Sequence, residues 1–243
     1  MTFVLTALAA AVAVALELLE AMVIVVAVGV SRRWSDALWG AAAGVVACAL
    51  LAALLGPLLA GLPREVLELT IGTLLLLYGL EWLRKGTLRL AGRRARTSST
   101  HEFEETVEQL AETTPPPVKR ADWAARIVAF KGVLLEGVEV VVIVAALAAR
   151  PSGPAPALIG SGVALIAVLA IGVRLRGPLG RLPETELKYG VGILLTSFGT
   201  FFVGGGLGAE WPAGDLALFP IALVLLVATQ IQVRRLQPPA LAA

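Results

Sequence analysis

Soft metal ligands are almost missing from this chain. Its one cysteine, Cys48, excludes an intramolecular disulfide and, lying among small apolar residues, reads as a buried structural thiol. One histidine and two methionines leave no ligand set suited to Cu(I) or zinc. The same shortage argues against a di-iron oxidase built on Glu-x-x-His. No nucleophile–base pair, phosphate loop or nucleotide fingerprint is visible, so nothing marks an enzyme. Charge is scarce as well. Only 16% of residues are charged against 58% hydrophobic, a balance that excludes an ordinary soluble core and points to a membrane.

Apolar runs of about 20 residues fall at roughly 3–30, 36–56, 65–84, 124–148, 155–173, 186–205 and 216–234. The first has no basic leader and is too long for a signal peptide, so it is read as a span. The expectation is an all-α polytopic membrane protein with seven transmembrane helices. Basic residues then concentrate on one side. Arg32, Arg33, Arg84, Lys85, Arg89, Arg93, Arg94, Arg234 and Arg235 follow odd-numbered spans, and Arg126, Lys131 and Lys188 begin helices on that side. The other side has Arg64 and Arg150. The positive-inside rule makes the rich side cytoplasmic, with the N-terminus outside and the C-terminus inside, in an inner or plasma membrane. The basic clusters suit anionic lipid rather than nucleic acid.

The chain also repeats itself at an offset of 119 to 120 residues. Glu17 and Glu20 match Glu136 and Glu139; Gly56-Pro57-Leu58 matches Gly177-Pro178-Leu179; Leu62-Pro63 matches Leu182-Pro183; Gly72 and Gly79 match Gly192 and Gly199. Three spans per unit is odd, so the second unit enters the membrane from the opposite face, an inverted repeat. The expected organisation is a first three-helix unit over 1–85, a cytoplasmic linker over 86–123 and a second unit over 124–206. An outer loop with the seventh helix follows over 207–235, then a tail over 236–243. In the linker, HEFEETVEQLAE predicts a short surface helix ended by the following prolines. A regulatory metal site at His101, Glu102, Glu104 and Glu105 competes there with a solvated charged face, and the solvated face is favoured.

The chemistry lies in the two glutamate pairs. Each is E-x-x-E inside an apolar run, and residues three apart share a helix face. Four unpaired carboxylates in hydrocarbon would cost about 10–14 kcal/mol even on the lenient insertion scale. No basic residue lies close in sequence; Lys131, five residues before Glu136, is the nearest. The repeat would bring Glu17, Glu20, Glu136 and Glu139 together at mid-depth as oxygen ligands for a hard cation. Gly137, between the second pair, permits close helix approach; Leu18 holds the matching place in the first. Protonation of the carboxylates offers a route to proton coupling.

E-x-x-E in the first and fourth of seven spans resembles the iron permease family of fungi and bacteria. LEGVEVVVIV at 135–144 is close to that family's Arg-Glu-x-x-Glu hallmark, and LELLEAMVIV at 16–25 is looser. Leu16 and Leu135 stand where the family has arginine. The resemblance implies a membrane cation transporter, not an enzyme. It further implies iron as the transported ion, metal ligation by the four glutamates, and a redox or periplasmic partner. Manganese and calcium remain open, as does a manganese/calcium–proton exchanger-like transporter, although the Glu-x-Gly-Asp pattern of that group is missing. A non-transporting membrane protein with structural glutamate pairs also remains open, as does the oligomeric state. Glu81, Thr196, Ser197 and Thr200 are weaker pathway candidates, with helix-backbone bonding favoured for the three hydroxyls. Glu65 and Glu68 suit a helix N-terminus, Glu210 and Asp215 an outer loop. Trp34, Trp39, Trp82, Trp123 and Trp211 read as interfacial anchors.

Overall fold

A computed structural model describes residues 2–94, 99–117, 120–148, 154–174 and 184–237. Among them every regular element is helical. Seven long helices are α1 (Thr2–Ser31), α2 (Trp34–Ala60), α3 (Arg64–Leu90), α5 (Trp123–Ala148), α6 (Ala155–Arg174), α7 (Glu184–Gly206) and α8 (Leu218–Leu236). The shorter α4 (Ser99–Ala111) lies between α3 and α5.

Local chemistry sets the ends. Pro63 precedes α3, where its fixed φ suits entry into a helix. The helix closes on Gly92, at φ +71°, with the Arg93 N–H donating to Leu88 O and the Gly92 N–H to Arg89 O. That is a Schellman end, and its left-handed residue favours glycine. Helix α3 therefore runs past the expected end of its apolar run at 84, because the mixed stretch to Leu90 continues the helix, with Arg84 exposed and Lys85 and Arg89 half-buried. Asp122 caps α5 by accepting from the Ala125 N–H at 3.1 Å. Helix α4 ends before the Pro115–Pro117 run, as the prolines require, but it is more than a surface helix: Thr106 and Leu110 are buried, Leu110 in a cluster with Val28, Ala37, Ala125 and Ala129.

Among the described residues five helices are long and apolar enough to cross a membrane: α1, α2, α3, α7 and α8. Helix α5 carries Lys131, Glu136 and Glu139 within its described length, and the described apolar part of α6 is Ala155–Ala170. The outward faces are aliphatic, with Val46, Leu50 and Leu54 on α2 and Leu223 and Val224 on α8 all exposed. Bare aliphatic surface on this scale marks a membrane-embedded chain.

Packing is interleaved along the sequence. Helix α3 lies on α7, α2 on α5, and α1 on α6 and α5; α8 leans on α7 and α3. Close backbone approaches recur in pairs. A Cβ added at Gly40 on α2 would lie 2.9 Å from Ala129 Cβ on α5, and one at Gly160 on α6 would lie 3.0 Å from Ala10 Cβ on α1. Across α3 and α7, Gly72 meets Phe202 and Val203 while Gly192 meets Trp82 and Leu83; Gly79 meets Leu195 and Thr196 while Gly199 meets Leu76. Within each couple, one contact becomes the other when residues are shifted by the 119 to 120 positions read from the sequence. The matches expected at Gly177-Pro178-Leu179 and Leu182-Pro183 lie outside the described residues, as do Arg150, the side chain of Glu102, and the tail beyond Gln237.

Candidate metal centre

Glu17 and Glu20 sit near the middle of α1, and Glu136 and Glu139 near the middle of α5. Because α1 and α5 pack together, the two pairs face each other. Carboxylate oxygens of Glu17, Glu20 and Glu136 all lie within 4.8 Å of one another. Glu139 stands outside that trio but close enough to Glu17 for direct charge repulsion. The convergence expected of four side chains is thus a trio with the fourth beside it.

Glu17 is 0% exposed, and among the described residues neither of its oxygens has a hydrogen-bond donor. A buried carboxylate whose neighbours are other carboxylates is strongly unfavourable unless a cation or proton neutralises it. Glu20, Glu136 and Glu139 are half-buried and line a polar cavity of about 140 Å³ with Trp82, Lys85, Arg89 and Lys188. The Tyr78 hydroxyl on α3 reaches Glu139 as a hydrogen-bond donor and lies in the field of Glu17 and Glu136.

Lys188 corrects the expectation that no basic residue approaches the glutamates. Its Nζ is 2.7 Å from Glu20 Oε1, and both side chains are nearly buried. Lys131, nearest in sequence, is exposed. In the sequence Lys188 stands only at a helix start, and Tyr78 has no acidic or basic neighbour within two residues. A lone phenol in the leucine run LLLLYG was the available signal for Tyr78. Trp82, expected at an interface, lines the cavity instead, whereas Trp34, Trp39 and Trp123 are exposed near helix starts.

The weaker candidates separate from the cluster. Glu81 pairs with Arg84 at 3.1 Å and Lys85 at 3.2 Å and does not line the cavity. Thr196, Ser197 and Thr200 donate to the carbonyls four residues earlier, Gly192, Ile193 and Thr196, at 2.7, 2.7 and 2.8 Å. Thr200 also borders a different, apolar cavity beside Trp211 and α8. His101 pairs with Glu105 at 3.4 Å, and among the described residues no metal-like cluster forms in α4. Glu65 and Glu210 are exposed, Glu68 and Asp215 half-buried.

The two motif leucines differ: Leu16 is packed in the core, whereas Leu135 points outward from the bundle, away from any role beside the carboxylates. Gly137 lets α2 approach, since a side chain there would collide with Cys48 Sγ. Comparison of the chain with family models, curated proteins and solved structures finds no match.

Proposed function

We propose that this chain is a membrane cation transporter resembling iron permeases, with Glu17, Glu20, Glu136 and Glu139 as the ion site. One observation carries the reading: three carboxylates from two helices meet within 4.8 Å, around a Glu17 that is buried and, among the described residues, has no hydrogen-bond donor. In that setting carboxylate oxygens replace the hydration shell of a hard cation, and the cation neutralises the cluster. Iron is the favoured substrate through the motif resemblance; manganese and calcium are the runners-up, because oxygen ligands suit them equally and Leu16 and Leu135 replace the family's arginines.

The architecture belonging to this reading is seven spans. Helices α1–α3 and α5–α7 form two units related by a half-turn about an axis in the membrane plane, and α8 is additional. The paired contacts across α1–α6 and α2–α5, and within α3–α7, support it. The charge distribution supports an outside N-terminus and a cytoplasmic α4. The carboxylate cavity then opens toward the cytoplasm, the side of Lys85 and Arg89.

The test is flux in liposomes. Reconstituted protein should take up iron, Mn2+ or Ca2+, and Glu20→Gln and Glu139→Gln should each abolish uptake while leaving the folded protein intact. Gln variants that fold and transport normally would sink the reading. The Lys188–Glu20 pair favours one second reading, a structural role for the glutamates. It predicts no flux in the wild type and a lower thermal midpoint in Glu20→Gln.

A further inference from the structure

We infer that Lys188 is a tethered cation that competes with the transported ion for Glu20 and sets a valence threshold at the site. This rests on the ion-site reading above. Lys188 comes from α7, a helix that supplies no carboxylate to the cluster, and places Nζ 2.7 Å from Glu20 Oε1 inside the wall of the small polar cavity. Lys85 and Arg89 share that wall, Lys85 engaged with Glu81 at 3.2 Å, and Lys188 is the ammonium seated against a carboxylate of the trio. Glu20 is also one of the three carboxylates that approach within 4.8 Å. An ion bound there and the ammonium would share one carboxylate and repel each other. The coupling is reciprocal: the Lys188–Glu20 pair weakens the ion, and the ion weakens the pair by the same factor.

Valence follows from the charges. A monovalent ion that replaces the ammonium exchanges one unit charge for another and loses its hydration. A divalent or trivalent ion gains the additional attraction of the remaining carboxylates. The ammonium is held at high effective concentration by its own helix, so it defeats monovalent ions that are free in solution. Once a multivalent ion has entered, return of Lys188 to Glu20 helps to expel it into the cavity.

Two measurements on purified full-length protein test this. In the first, Mn2+ and anaerobic Fe2+ are titrated into wild type, Lys188→Gln and Lys188→Arg, with and without added NaCl at constant ionic strength. Lys188→Gln should bind the metal about tenfold more tightly or better, the lower end of couplings for close charge pairs. Na+ should compete in that variant alone, and Lys188→Arg should keep the weaker wild-type binding. Unchanged or weaker binding in a folded Lys188→Gln overturns the inference. The second measurement needs no variant and decides the matter if Lys188→Gln fails to fold. Lys188 in the wild type is modified with an amine-reactive reagent and followed by peptide mass spectrometry. Metal should accelerate its modification by freeing it from Glu20; unchanged or slower modification overturns the competition. A wild type that binds neither metal is a separate result, which removes the ion site itself and this inference with it.

Discussion

Two helix seams cross the centre of this molecule, and they are built from opposite materials. The α3–α7 seam is lined by Gly72, Gly79, Gly192 and Gly199, each against the backbone or Cβ of the facing helix. The α1–α5 seam carries Glu17, Glu20, Glu136 and Glu139, and a polar cavity opens beside it. The first brings two backbones close together; the second holds carboxylates that repel. Close, uncharged packing in one seam fixes the frame in which the other can keep an unfavourable cluster. The two seams also touch, since Tyr78 and Lys188 leave the glycine seam to reach Glu139 and Glu20.

Breaking the packed seam should have the largest effect. A Cβ at Gly199 already lies 2.8 Å from Leu76 Cβ, so Gly199→Leu has no room to repack. Overpacking commonly costs about 1–3 kcal/mol and more against backbone. The variant should lose its monodisperse peak in detergent chromatography; a well-folded Gly199→Leu would show that the seam is not a rigid frame. Breaking the charged seam should do the reverse. Glu136→Gln keeps shape and hydrogen bonding, so uptake should vanish while the thermal midpoint holds or rises as repulsion is relieved. A fall in midpoint with uptake retained would reverse the contrast.

The link between seams gives an intermediate effect. Tyr78→Phe removes the donor to Glu139, a hydrogen bond to a charged group worth about 1.5–3 kcal/mol. Metal titration should read about tenfold weaker binding or more, with little change in chromatographic behaviour. Equal binding by Tyr78→Phe would detach Tyr78 from the site. The smallest effect belongs to Thr200→Val. Its hydroxyl serves the Thr196 carbonyl within α7, so uptake and stability should stay within about 0.5 kcal/mol of wild type, the range of ordinary surface changes. A large loss of uptake in Thr200→Val would restore it to the ion pathway.

Much of the seams was legible in the chain. Hydropathy located all seven long helices to within a few residues, apart from the extension of α3 to Leu90. The 119-residue offset between E-x-x-E motifs foretold that two helices with buried carboxylates would meet, and Glu17, Glu20 and Glu136 do. Proline spacing foretold the end of α4. What stayed hidden depends on helix rotation. Lys188 lies 168 positions from Glu20, and nothing in its neighbourhood reveals that the glycine seam turns it toward α1. The same setting leaves Glu81 outside the cavity, though it lies only three residues from Tyr78. For the hydroxyls inside α7 the favoured sequence reading was bonding to their own helix, and Thr196, Ser197 and Thr200 make those bonds.

The interleaving of the bundle has a consequence for how the chain is made. Helix α2 finds its partner in α5, α1 in α5 and α6, and α3 in α7, so the first three helices emerge from the ribosome before the surfaces that cover them exist. Contacts this distant in sequence form late and slowly. Residues 2–94 alone are therefore not a folding unit. Until α5 and α6 are made, the α1 face that carries Glu17 and Glu20 lacks the helices that pack on it.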